Sequence, residues 1–137
     1  MEYDYEGEKK YLTTCEKLIM KLVWEWPQDI STVELQQNLR ERYGKDYVLA
    51  TIRTFLVKLS DKGFVRNYRK GKNAYVRPRK TREEYLDFSL RSQLKFWYDD
   101  EAKDMIRQVF LASGIKTEAE VEQLKELLAD LEGVPEP

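Results

Sequence analysis

A cluster of small, hydroxylated and basic side chains lies near the middle of the chain. It falls within a predicted helix at about 48–62, whose apolar, inward positions are Ile52, Phe55, Leu56 and Leu59. The outward positions are then Ala50, Thr51, Arg53, Thr54 and Lys58. Arginine can donate two hydrogen bonds to guanine, and a threonine methyl group can touch thymine. We expect Ala50, Thr51, Arg53 and Thr54 to contact DNA bases and Lys58 to contact phosphate, although an isolated helix with this pattern is more often an ordinary polar surface.

A basic connection follows this helix and strengthens the interpretation. The runs 64–68 and 74–78 alternate in polarity around a glycine-containing link, which predicts a β-hairpin. Cations in such a wing neutralise DNA phosphates and add affinity without reading sequence. The basic side chains are Arg66, Arg69, Lys70, Lys72 and Arg77, with Asn73 beside them, and we expect Arg66, Arg69, Lys70, Lys72 and Asn73 to contact phosphate. The alternative is a solvated loop. The helix at 48–62 follows another predicted helix at 32–43, as in a helix-turn-helix, and a basic loop directly after this pattern is more specific than either feature alone.

The sequence offers few residues for metal binding or catalysis. The 137 residues include one cysteine, Cys15, and no histidine, which excludes a disulfide framework or a Cys/His zinc site within one chain. The commonest general base is missing, and no nucleophile–base pair is visible, although lysine, tyrosine or carboxylates could still act. We therefore expect no enzyme activity, no catalytic residue, no metal and no cofactor.

Charge is divided unevenly along the chain. Residues 1–80 carry 17 basic and 11 acidic side chains, whereas residues 81–137 carry 7 and 14. This asymmetry favours a basic part that faces a polyanion, although chance clustering is about equally compatible with charge alone.

Four capping-box patterns indicate where helices begin, each a Ser or Thr followed three residues later by Glu. They are Thr13/Glu16, Ser31/Glu34, Thr81/Glu84 and Thr117/Glu120. The predicted helices span 14–26, 32–43, 48–62, 82–97, 101–112 and 118–131, and the second is expected to bury Val33, Leu35 and Leu39.

Three helices followed by a hairpin is the order of a winged helix-turn-helix. We predict a mainly α fold with a small β-hairpin wing, in which a DNA-binding domain precedes a helical dimerisation domain. The expected divisions are an acidic tail at 1–9, the winged-helix domain at 10–79, the helical domain at 80–132 and a disordered tail at 133–137.

The last three predicted helices have broad apolar faces that one short bundle cannot bury. They could pack back onto the first domain, but we favour packing against the same helices of a second chain. The expected dimer-interface residues are Leu86, Leu90, Leu94, Trp97, Met105, Ile106, Val109, Phe110, Leu124 and Leu128. The chain start lacks a signal-peptide pattern, and no apolar run could span a bilayer, so we expect a cytoplasmic protein without membrane contact.

Three segments resemble the penicillinase and methicillin-resistance repressor family, a family of winged-helix transcriptional repressors. Residues 12–24 resemble its first helix, residues 50–63 its recognition helix and residues 70–78 its wing. The most specific part is the stretch Thr-Ile-x-Thr-x-Leu-x-x-Leu-x-x-Lys-Gly at 51–63. The resemblance covers roughly residues 10–131.

The resemblance implies a homodimeric repressor of an inverted-repeat operator on double-stranded DNA, often of resistance or copper-homeostasis operons. It implies base contacts at Thr51, Arg53 and Thr54, and a sensor protease as a further partner. The family's cleavable Asn-Phe bond is replaced by Arg107-Gln108-Val109-Phe110, and its Cys-x-Cys motifs are absent, which argues against the known inducing mechanisms. The competing hypothesis is a winged helix that binds another protein and never meets DNA.

Overall fold

The computed structural model describes residues 10–115 and 117–132, within which it contains six helices and a small three-stranded sheet. The expected tails at 1–9 and 133–137 lie outside the described residues. In chain order the elements are α1 (Thr14–Glu25), β1 (Ile30–Ser31), α2 (Thr32–Tyr43), α3 (Leu49–Asp61), β2 (Val65–Lys70), β3 (Asn73–Pro78), α4 (Arg82–Tyr98), α5 (Ala102–Ser113) and α6 (Glu118–Glu132).

The chain forms two compact units, one within residues 1–89 and one within residues 90–137. In the first unit, three helices precede an antiparallel hairpin, which confirms the predicted mainly α, winged-helix fold class. The division between the units falls inside α4. The assignment of DNA binding and dimerisation to the two parts of the chain stays a prediction.

The helices begin where the capping boxes predicted. The Thr13 side chain accepts a hydrogen bond from the backbone of Glu16, and the Glu16 carboxylate accepts one from the N–H of Thr13. Ser31 and Glu34 form the same reciprocal pair at the start of α2. The hydroxyls of Thr81 and Thr117 accept from the N–H groups three residues later. Each bond satisfies a donor that the first helical turn leaves free.

The core of the first unit is aliphatic, with two buried rings. It joins one face of each of the first three helices to the inner face of the sheet, and burying each large side chain contributes about 1.5–3 kcal/mol. Its members are Leu12, Ile19, Met20, Leu22, Val23, Ile30, Leu35, Leu39, Ile52, Leu56, Leu59, Phe64, Val65, Val76 and Tyr85.

One predicted core residue is wrong. Val33 is 56% exposed, because it lies two positions before Leu35 and therefore on the opposite side of α2. Phe55, also expected inward, is only partly buried and packs against the edge of the core.

The sheet is larger than the predicted hairpin. β2 and β3 pair from Val65↔Pro78 to Lys70↔Asn73, and β1 pairs with the other side of β3. Only residues 71 and 72 connect β2 to β3, and Gly71 has a φ of +65°, which glycine adopts without strain. The strands therefore extend further into the basic segment than predicted.

The second unit contains the end of α4, all of α5 and all of α6. Gly114 ends α5 in the left-handed conformation. Apolar side chains of these helices remain exposed in the single chain, whereas the first unit buries an aliphatic core. None of the helices within the described residues is long and apolar enough to cross a membrane.

Candidate nucleic-acid interface

The outward face of α3 carries the predicted base-contacting residues. Ala50, Arg53 and Thr54 are exposed, and Thr51 is half-buried at the edge of that face. Lys58, the predicted phosphate contact on the same helix, is exposed as well. On the opposite side the helix is anchored by three buried aliphatic side chains, Ile52, Leu56 and Leu59. The structure thus brings the predicted base contacts together on one accessible surface.

The first turn of α3 begins without a side-chain cap. Val48 occupies the N-cap position and forms no side-chain cap hydrogen bond. The Thr54 hydroxyl donates to the carbonyl of Ala50 at 3.1 Å. Thr54 therefore keeps only acceptor capacity on its hydroxyl oxygen, since its proton is already used within the helix.

An ion pair with a buried carboxylate and a partly exposed lysine fixes the far end of α3. Lys62 Nζ lies 2.6 Å from Glu16 Oε1 and donates to the carbonyl of Tyr11 at 3.0 Å. Glu16 is 1% exposed. Burial opposes ionisation, but the hydrogen bonds from Lys62 and Thr13 outweigh it, so the pKa of Glu16 lies below its ordinary value of 4.5. Sequence reasoning treated Glu16 only as a capping residue and missed this contact.

The turn before α3 is fixed by Tyr47. The Gln36 amide donates to the Tyr47 carbonyl at 3.0 Å, and the Tyr47 ring meets Phe55 edge-on at 5.5 Å between centroids. The Tyr47 hydroxyl lies 3.0 Å from Cys15 Sγ. That hydrogen bond, followed by burial, raises the pKa of Tyr47. Cys15 is therefore a half-buried residue of α1 that contacts the turn through Tyr47.

The wing presents the predicted phosphate contacts to solvent. The residues predicted to contact phosphate are all exposed: Arg66, Arg69, Lys70, Lys72 and Asn73. The hairpin is joined directly to α3, because the Asn67 side-chain amide donates to the carbonyl of Leu56 at 3.1 Å. The position of the wing is therefore tied to α3.

Asp29 holds both strands of the wing, and sequence reasoning gave it no role. Its carboxylate accepts a short hydrogen bond from the Tyr68 hydroxyl on β2 and a second from Arg77 Nε on β3 at 3.0 Å. The Arg77 guanidinium lies 5.3 Å from the Tyr68 ring centroid, and Tyr68 stacks on Tyr75 at 5.7 Å. The hydrogen bond to Asp29 is the main cause that raises the pKa of Tyr68. Arg77 is thus paired within the protein.

The predicted dimer-interface residues are all at least partly accessible in the single chain. Leu86, Leu90, Trp97, Ile106, Val109 and Leu128 are exposed, and Leu94, Met105, Phe110 and Leu124 are half-buried. Within the second unit, a groove of about 410 Å³ is lined by apolar residues: Leu90, Leu94, Ala102, Met105, Ile106, Val109, Phe110, Ile115 and Leu124. The described residues include no cluster of carboxylate, thiol or imidazole groups that could hold a metal ion.

A three-helix core, a tight basic hairpin and an accessible polar face on the third helix define the winged-helix class of DNA-binding proteins. Residues 12–130 match the family model described as Penicillinase repressor, so the chain belongs to the penicillinase repressor family. This is a family of DNA-binding transcriptional regulators. A comparison with individually curated proteins finds no match.

Proposed function

We propose that the protein is a homodimeric repressor that binds an inverted-repeat operator. α3 enters the major groove, where Ala50, Thr51, Arg53 and Thr54 contact bases, and the wing contacts phosphates. The observation that carries the proposal is the pairing of an exposed polar face on α3 with a basic hairpin bonded to the same helix. An operon for resistance or a stress response is the expected target of a repressor of this family.

The charges support a division of roles within the interface. Lys70 and Lys72 lie at the hairpin tip on either side of Gly71, where they can follow a phosphate backbone. Arg53 lies in the second turn of α3, near the helix end that inserts deepest in helix-turn-helix complexes. Sequence discrimination should therefore depend on α3, and general affinity on the wing.

The experiment measures affinity for duplexes from the protein's own upstream region as salt is raised. We expect log affinity to fall linearly with log salt, by about 0.9 per phosphate neutralised, and two protected half-sites separated by one helical turn or a multiple of it. Arg53→Ala should relax preference at one base pair by about 1–3 kcal/mol, whereas Lys72→Ala should weaken all duplexes alike.

Lys125→Ala is the matched control, because Lys125 is an exposed cation on α6 that pairs with Glu122 of the same helix. It should leave binding unchanged. Salt-insensitive binding, or none at any salt concentration, would reject the proposal in favour of a protein-interaction module.

A further inference from the structure

The centre of the outward face of α3 is apolar. Ala50, Thr54 and Val57 follow one another at a spacing of four and then three residues, so their side chains form one row along the helix. Val57 is 57% exposed and lies on the side of the helix opposite Ile52 and Leu59, both of which are fully buried. Val57 was predicted neither as a core residue nor as an interface residue.

Exposure alone would not indicate a functional role for Val57, because single exposed aliphatic residues are common on protein surfaces. The residues around Val57 do indicate such a role. Val57 is one helical turn beyond Arg53 and Thr54 and adjacent in sequence to Lys58, the residues expected to contact bases and phosphate. An aliphatic side chain at this position of α3 can make a favourable contact with DNA only where the major groove presents an apolar group.

Thr54 reinforces the apolar character of the row. Its hydroxyl proton is donated to the Ala50 carbonyl at 3.1 Å, so the side chain presents a methyl group beside those of Ala50 and Val57. The one methyl group that B-form DNA exposes in the major groove is the C5-methyl of thymine. The row is therefore chemically matched to thymine, while Arg53 remains the candidate partner of guanine.

We propose that Val57 is a specificity-determining residue that selects thymine by contact with its C5-methyl group, an inference that rests on the proposed binding of α3 in the major groove. Val57 follows Arg53 by four residues, or roughly 6 Å of helix rise. The selected thymine should therefore lie within about two base pairs of the pair that Arg53 reads, given about 3.4 Å per step along each strand.

The test begins with full-length protein and duplexes selected by it from a randomised inverted-repeat library. Each thymine of the selected half-site is then replaced by uracil, which removes only the methyl group. For the wild type, we expect one uracil position to weaken binding by about fourfold per half-site, as for one buried methyl-sized group. Val57→Ala should weaken binding to the thymine duplex similarly and be indifferent to uracil at that position.

Val33→Ala is the matched control, because Val33 is equally exposed but lies on α2. In this variant the uracil penalty should remain as large as in the wild type. Thermal unfolding of all three proteins checks that each is folded. Losses from Val57→Ala and from uracil that simply multiply, or a wild type insensitive to uracil everywhere, would overturn the assignment of Val57. Failure to enrich any duplex would instead remove the proposed function itself, and this inference with it.

Discussion

Lys62 joins the end of α3 to α1 through its ion pair with Glu16. Its ammonium group shares the Glu16 carboxylate with the backbone N–H of Thr13, in a position where Glu16 is almost wholly removed from solvent. A buried carboxylate that loses its cation keeps the cost of desolvation and loses the compensating attraction. The largest effect of this pair on stability is therefore expected when one partner is removed, because the remaining charge is then buried without compensation.

Lys62→Met should lower the free energy of unfolding by about 3 kcal/mol, since it leaves the Glu16 charge buried beside an apolar side chain. Urea denaturation measures the change. Lys17→Met is the control, because Lys17 is exposed on the same helix as Glu16, and the expected change is within about 0.5 kcal/mol. Equal midpoints for the two variants would show that the ion pair contributes nothing.

The same carboxylate predicts how stability depends on pH. The pKa of Glu16 is lower in the folded protein than its ordinary value of 4.5, so the folded state favours the ionised form. Its contribution to stability is fully present above pH 4.5 and is lost as the pH falls through the folded pKa. Glu16→Gln should flatten the stability curve in that acidic window and leave its shape near neutral pH unchanged. Parallel curves for wild type and variant would contradict this assignment.

At the scale of elements, the wing depends on a residue outside it. Asp29 precedes β1, yet it accepts hydrogen bonds from Tyr68 on β2 and from Arg77 on β3. One carboxylate thereby joins the two strands of the hairpin to the segment between α1 and α2. The angle at which the wing leaves the helices should depend on this link.

Tyr68→Phe removes one of these bonds without changing the net charge. We expect a loss of about 1.5 kcal/mol in unfolding free energy, because hydrogen bonds to charged groups contribute about that much or more. DNA affinity should fall by a similar factor for all duplexes, since α3 is untouched. Tyr75→Phe keeps the ring that stacks on Tyr68 and serves as the control. Unchanged stability in Tyr68→Phe would show that Arg77 alone holds Asp29.

The elements themselves could largely be predicted from the sequence. Capping boxes can be recognised in the sequence because the capping side chain and the backbone N–H that it caps are only three residues apart. The hairpin can be recognised because polar and apolar residues alternate on both sides of a short turn that contains glycine. β1 was missed because two residues show no alternation, and Ser31 was already explained as a helix cap. Val33 was misplaced because a single apolar residue near a helix start fits either face until the packing of the neighbouring helices is known.

In the candidate site as well, the features that depend on local sequence could be predicted and those that depend on distant contacts could not. The outward set on α3 could be predicted, since helical periodicity separates it from the buried set. The contacts of Glu16 with Lys62 and of Asp29 with Tyr68 join residues 46 and 39 positions apart, and no local pattern encodes them. Val57 was overlooked for a different reason: the outward set was drawn from small, hydroxylated and basic side chains, and Val57 is none of these.

At the scale of the whole molecule, the two units differ in how far their apolar side chains are buried. The first buries an aliphatic core, whereas α5 and α6 contribute no buried residue within the described chain and leave Ile106, Val109 and Leu128 about half exposed. Exposed apolar surface of this extent is typical of a protein interface. The proposed homodimer would cover it and would also supply the second half-site contact that an inverted repeat requires.

Ile106→Asp should therefore convert the protein to monomers, because it places a charge within the apolar row of α5 that the partner would desolvate. Sedimentation equilibrium measures the association, and a mobility shift on the two-half-site duplex should show a large loss of affinity with little change on a single half-site. Gln108→Asp introduces the same charge on the opposite side of α5, where Gln108 is exposed, and should remain dimeric. A wild type that is monomeric at all concentrations, or an Ile106→Asp variant that associates as well as Gln108→Asp, would show that this face does not join two chains.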